Sequence, residues 1–367
     1  MHCASLGEFE QGRPVLEALK KSFPSRKVIL SFFSASGFEA MKNYPVADLI
    51  LYLPFDNRAN SKKFINAISP ALVLWVKYEY WYYYLHELKR QEIPVLLISG
   101  IFRESQPFFK WYGTLWRKML GCFTYFFVQN PSSKDLLAKL VDPAQVSVAG
   151  DTRFDRVIEI AENFKPIPFI EEFCGDSRVV VAGSTWEHDE AELTHYVKAN
   201  PDIKFILAPH EIDAGNLKDV KEEFNESIFY SQLLKKEFTP STANINMLII
   251  DNIGMLSRLY YYADIVYVGG GFGAEGVHNV LEAAIYGKPV IHGPEYEKFV
   301  EAAELIECGG SSEVQNAVEL EKILNELWES PALLQSKGIA ARNYVYANQG
   351  ASAKITRFVQ EKRLLTN

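Results

Sequence analysis

The chain is short of cysteine: four residues in 367, Cys3, Cys122, Cys174 and Cys308, scattered and without a CxxC pair. That excludes a disulfide framework, and a reducing compartment suits it best. No run of about 18 apolar residues occurs, which excludes a helical membrane span in the chain as it stands, and no signal peptide is legible. Positive charge is not in excess. Lys and Arg total 38 against 46 Asp and Glu, a net charge of −8. A general nucleic-acid binder would carry a basic field instead. No repeat of 20–50 residues is evident. Asp-x-Asp is absent, as is any His, Cys or carboxylate cluster at metal-ligand spacing, so chemistry built on a resident metal is not expected.

What is present is ordinary globular material, 48% hydrophobic and 23% charged. The length suits two domains, each able to bury a core. Apolar runs alternate with helical patterns through the first half, with strands expected at 27–33, 48–53, 71–76, 94–99, 125–129 and 146–149. Residues 1–4 read as the end of another strand, because Ser5-Leu6-Gly7 looks like a turn into a helix. Residues before it are therefore expected to be missing, and any anchor with them. Residues 150–175, with Pro166 and Pro168, read as a linker. The pattern then restarts with strands at 178–182, 204–208, 246–250, 264–268 and 288–292, and three helices close the chain at 316–329, 332–347 and 351–364. Such alternation means right-handed βαβ units and parallel sheets covered on both faces. The expected fold class is α/β: two Rossmann-like doubly wound domains facing a cleft, with ligands outside the carboxyl ends of the strands.

The densest signal lies at 268–293. A buried strand runs into Gly269, Gly270, Gly271, Gly273 and Gly276, and a helix is expected over 277–286. A helix N-terminus after a glycine loop can hold an anion, and glycines allow close approach of the backbone. Asn279 and Glu282, three apart, would share a face. An acid there can accept from a ribose while the helix end holds a phosphate, the grip expected on a sugar nucleotide. Gly183-Ser184-Thr185-Trp186-Glu187 repeats the strand-then-polar-turn logic. Its hydroxyls could hold a carboxylate or phosphate, or simply cap a helix. Pro209-His210-Glu211 ends the next strand at the same edge, where His210 could contact a phosphate or protonate a leaving group. Glu8, just past the first strand, could act as general base, or only favour the helix end it begins. Two aromatic stretches, 77–86 and 108–120, fit either a core-facing helix or, with Lys110, Arg117 and Lys118, contact with a membrane surface.

Laid out together, these stretches resemble the Kdo (3-deoxy-D-manno-octulosonic acid) transferases of lipopolysaccharide synthesis. The resemblance rests on His2-Cys3-Ala4-Ser5-Leu6-Gly7-Glu8, Ala149-Gly150-Asp151-Thr152-Arg153-Phe154-Asp155, Ala182-Gly183-Ser184-Thr185-Trp186, Ala208-Pro209-His210-Glu211 and the block from Gly269 to Pro294. In this order they cover nearly the whole chain. The resemblance implies the GT-B architecture: an acceptor domain over 1–160, a CMP-sugar domain over 161–345, and a C-terminal helix over 346–367 crossing back to the first domain. It implies an inverting glycosyltransferase that moves Kdo from CMP-Kdo to a lipid A precursor, with no metal and no cofactor. It also implies work at the cytoplasmic face of the bacterial inner membrane, peripheral in this form because the family's N-terminal anchor is not seen. The family's base matches Glu8. Its CMP contacts match Pro209 and His210, then Ile253, Gly254 and Met255, then Asn279, Val280, Leu281 and Glu282. Many relatives have Glu where Met255 stands, so only a backbone contact would survive there. Ser5, Gly7, Glu79, Arg103, Ser184, Thr185 and Gly273 are further candidates for donor or acceptor contacts. Arg103, Lys110, Arg117 and Lys118 are candidates for acceptor phosphates. The alternative is another GT-B enzyme using a UDP-sugar, a transferase or an epimerase.

Overall fold

The computed structural model describes residues 1–77, 79–235 and 245–366. The chain divides into two compact units, Met1–Arg156 with Asn348–Asn367, and Val157–Ala347. The first holds seven strands: β1 His2–Cys3, β2 Ile29–Phe32, β3 Leu49–Tyr52, β4 Val73–Val76, β5 Val95–Gly100, β6 Tyr125–Val128 and β7 Val146–Val148. They pair in the order β3-β2-β1-β4-β5-β6-β7, every pair parallel. The inner strands are short apolar runs because helices cover both faces of the sheet there, while the edge strand β3 leaves Leu49 and Tyr52 exposed. In β5 alternate residues part company. Leu96 and Ile98 join a cluster with Phe9, Val15 and Phe32, while Val95 and Leu97 join one with Trp75, Leu85 and Phe126. The C-terminal helix Ala351–Glu361 lies in the first of these clusters through Ala351, Ile355 and Val359.

The second unit repeats the plan: β8 Arg178–Thr185, β9 Ile203–Pro209, β10 Ser227–Phe229, β11 Met247–Ile249, β12 Ile265–Val268, β13 Val290–His292 and β14 Ser311–Glu313. Their order is β10-β11-β9-β8-β12-β13-β14, again all parallel. In each sheet the winding reverses beside the first strand, between β1 and β4 and between β8 and β12. Those are the switch points at which open α/β sheets hold ligands.

Four expectations need refinement. The unit boundary does fall within 150–175, the stretch read as a linker, but that stretch holds helices Thr152–Glu162 and Ile170–Cys174, and the boundary lies inside the first. Strands β10 and β14 are absent from the sequence reading because each is three residues at a sheet edge, and Ser311-Ser312-Glu313 has no apolar run to show. The aromatic stretch 108–120 is broken into a 3₁₀ turn, Pro107–Phe109, and a short helix, Thr114–Leu120. Gly113 separates them, since a Cβ there would lie 2.0 Å from the Pro107 carbonyl oxygen. Within 77–86, the helix begins only at Tyr82.

Candidate functional site

Build first from β1. Its two residues end at Ala4, and Ser5 caps the helix Leu6–Ser22, accepting the Glu8 amide at 3.4 Å. Glu8 folds back so that Oε2 accepts the Ala4 amide at 2.5 Å, and its side chain is buried. Ser5 supplies one half of a capping box, while Glu8 reaches one residue further back, to the Ala4 amide, and that bond orients its carboxylate at the switch point. Glu79 stands at the same edge, three residues beyond β4, and burial raises its pKa. Two carboxylates thus follow the two strands that flank the reversal. Gly7 is exposed in the first helical turn, and Arg103 follows β5, also exposed. Arg117 is not a loose cation. Its guanidinium binds the carbonyls of Phe108, at 3.1 Å, and of Lys110, at 2.9 Å, and so holds the aromatic loop together.

The second unit gathers more. A register shift between Gly183 and Thr185 makes a bulge in β8, with Ser184 at φ 54°. Such bulges re-aim side chains beside functional sites. Here the bulge delivers Trp186 to the edge of the sheet. The Thr185 hydroxyl is spoken for, because it donates to buried Glu190 at 2.8 Å. Burial raises the Glu190 pKa to about 7, its hydrogen bond to Thr185 opposing the shift. Asp189 is fully buried and accepts from the Trp186 amide (2.9 Å), the Gly270 amide (2.8 Å) and the Tyr267 hydroxyl (2.7 Å). One carboxylate therefore ties the end of β8 to the glycine loop after β12. Gly269 makes this approach possible: a Cβ there would sit 2.4 Å from the Ser184 carbonyl oxygen.

The ten-residue helix expected over 277–286 is a single turn, Leu281–Ala284. The amide of Val277 is taken by the Glu295 carbonyl (2.9 Å) and that of His278 by the Gly269 carbonyl (3.0 Å). Those long-range bonds pull the segment out of helical register. The amides of Val277 and His278 are therefore not available to an anion. The amides of Gly270, Gly273 and Gly276 are also bonded within the protein. Asn279 and Glu282 do meet: the Asn279 side-chain amide donates to Glu282 Oε1 at 3.0 Å, and Asn279 Oδ1 accepts the Leu281 amide at 3.3 Å. Val280 and Leu281 are buried behind them.

Three rings from three loops converge, a grouping the sequence reading did not foresee. Trp186 stacks on His210 at 4.5 Å and 22°, and His210 stacks on His278 at 4.5 Å and 17°. Trp186 Nε1 donates to His278 Nε2 at 2.9 Å. Burial, then His210, lowers the His278 pKa to about 4. Pro209 ends β9, and the His210 amide binds the Thr185 carbonyl at 2.9 Å. Ile253 and Gly254 follow β11 and are exposed, Gly254 at φ +90°. The Met255 side chain is buried and its sulfur receives the Asn252 amide group at 3.1 Å, so only its backbone can face a ligand. Among the described residues no group of three or more His, Cys, Asp or Glu is placed to hold a metal ion.

Two doubly wound parallel units in one chain are the plan of the GT-B enzymes. Comparison with known proteins shows what the chain is similar to. Residues 1–156 match the model of the 3-deoxy-D-manno-octulosonic-acid transferases (kdotransferases). A 3-deoxy-D-manno-octulosonic acid transferase of Aquifex aeolicus is 27% identical over 335 residues, covering 89% of this chain and 85% of that protein. A bifunctional glycosyltransferase/methyltransferase of Fusobacterium nucleatum is 28% identical over 341 residues, and there the match covers 89% of this chain but 52% of the relative, about half its length. Among solved structures, a UDP-GlcNAc 2-epimerase from Neisseria meningitidis bound to UDP-GlcNAc matches at a TM-score of 0.68 and 18% identity, over 98% of each chain, a likeness of fold alone. The chain is thus similar to the Kdo transferases along most of its length.

Proposed function

We propose that the protein transfers Kdo from CMP-Kdo to a hydroxyl on the glucosamine disaccharide of a lipid A precursor, with inversion at the anomeric carbon. The observation that carries the reading is the kinship with Kdo transferases over 89% of the chain. The local geometry supports the parts. Glu8, held by its cap at the end of β1, takes the acceptor's hydroxyl proton. The freed oxygen attacks the anomeric carbon of Kdo, the bond from that carbon to the CMP phosphate oxygen breaks, and CMP departs with its charge on phosphate. A single displacement inverts the centre. The proton remains on Glu8. In the second unit Pro209, His210, the backbone at Ile253, Gly254 and Met255, and the segment Asn279 to Glu282 hold CMP. Since most glycine-loop amides serve the fold, side chains at the edge of the sheet take a larger share of the phosphate.

We also propose that the reaction needs no bound metal and takes place on the cytoplasmic surface of the inner membrane. No described helix is long and apolar enough to cross a bilayer. The loop before Thr114 exposes Trp111 at 91% and Tyr112 at 51%, beside Lys110, and such a pairing of aromatic and cationic residues suits a lipid surface.

The test is transfer from freshly made CMP-Kdo to a lipid A precursor in detergent with EDTA present, wild type beside Glu8→Ala. Transfer by the wild type, reduced at least a hundredfold in the variant while CMP still raises the melting temperature, is expected. Heat protection by UDP and not by CMP would replace this donor with a UDP-sugar.

A further inference from the structure

The three stacked rings carry information about protons that the family kinship does not. His278 Nε2 faces the Trp186 indole N–H at 2.9 Å. An indole nitrogen can only donate, so Nε2 must accept and cannot itself carry a proton. In a neutral imidazole the single proton then resides on Nδ1. His278 stays neutral for a second reason: burial and the neighbouring His210 both oppose its charging. No described residue accepts from Nδ1. The Nε2 edge is also fixed from the other side, where the Gly270 backbone closes on it so tightly that a Cβ there would lie 2.8 Å from the ring. The ring is therefore trapped by a hydrogen bond and a glycine contact at its Nε2 edge and by a stack on its face, with no described residue on its other nitrogen. The main chain of His278 is pinned as well, by its amide bond to Gly269.

We propose that Trp186 is a positioning residue that locks His278 as the Nδ1–H tautomer, so that His278 offers one oriented donor to the anionic group of a nucleotide bound beside the glycine loop. Trp186 touches no reacting atom in this scheme. It acts through His278, and Asp189 in turn holds Trp186 by its amide. His278 precedes the Asn279 to Glu282 segment, so a donor on this ring falls next to the proposed CMP contacts. The identity of the ligand rests on the reading in the preceding section; the tautomer does not.

Two measurements separate these parts. The first is ¹⁵N NMR of the histidine rings in the ligand-free whole protein near neutral pH. The His278 signals should show Nδ1 protonated and Nε2 bare, and Trp186→Phe, which keeps an aromatic ring but loses the N–H, should shift His278 to the Nε2–H form or a mixture. A wild-type Nε2–H form, or an unchanged spectrum in Trp186→Phe, overturns the lock. The second is a calorimetric titration with CMP. His278→Ala should weaken binding about tenfold, the loss of one hydrogen bond to a charged group. His278→Asn, whose amide N–H reaches the Nδ1 position, should recover most of it, and His278→Gln, which reaches the Nε2 position, should not. Equal affinity in all three variants and the wild type overturns the donor role. A wild type that binds UDP but not CMP removes the CMP assignment instead, and the same variant series run with UDP then tests the donor.

Discussion

Glu190 is a carboxylate whose ionisation is at odds with its surroundings. It is buried, accepts the Thr185 hydroxyl, and titrates at about 7 against an ordinary 4.5. A raised folded-state pKa in an acid means that ionisation costs stability. The cost is complete above about pH 7, shrinks as pH falls, and is gone below the unfolded value near 4.5. At about pH 8 it amounts to something on the order of 3 kcal/mol, from the difference of 2.5 units. Glu190→Gln should therefore raise the melting temperature at about pH 8 and have little effect at about pH 4.5. Scanning fluorimetry across that range checks it, and a gap that widens toward acid would show that the carboxylate is stabilised rather than strained. The residue scale also explains why Glu8 was readable in two ways. The same Ser-x-x-Glu spacing that caps a helix brings a carboxylate to the end of β1, and capping and placement are one event.

At the scale of elements, the end of β8 and the loop after β12 form one unit. Gly269 lets the two backbones touch, Asp189 bonds both, and the bulge at Ser184 turns Trp186 toward His210 and His278. Gly269→Ala places a methyl 2.4 Å from a backbone carbonyl oxygen that has little room to move. It should cost about 1–3 kcal/mol. It should also weaken CMP binding by displacing His278, whose amide bonds the Gly269 carbonyl. Chemical denaturation together with a CMP titration measures both. Unchanged stability would mean that the two loops can separate freely. The alternation of strand and helix was legible because period and composition are local. The one-turn helix after the glycine loop was not, because carbonyls at Glu295 and Gly269 decide it, one of them distant in the chain.

At the scale of the whole molecule, the last helix is part of the first unit's core. Ala351, Ile355 and Val359 are wholly buried, and Asp155 accepts the amides of Gly350 (2.5 Å) and Ser352 (2.6 Å) across 195 and 197 residues of sequence. Asp155→Ala leaves those donors without their acceptor and should destabilise the first unit by about 1–2 kcal/mol. Proteolysis followed by mass spectrometry should then find faster cleavage within residues 1–156, with Val157–Ala347 unaffected; equal rates throughout would mean that the cap contributes nothing. The sequence by itself determined the two parallel sheets, the β-strand ends at which chemistry can occur, and the resemblance to Kdo transferases, because apolar runs, turn residues and ordered motifs are written locally. Only the tertiary structure decided which polar groups meet. The Trp186–His210–His278 stack, the consumption of the glycine-loop amides and the burial of Glu190 each depend on residues tens of positions apart or on a bulge's exact turn, and neither composition nor periodicity encodes a distance between separate loops.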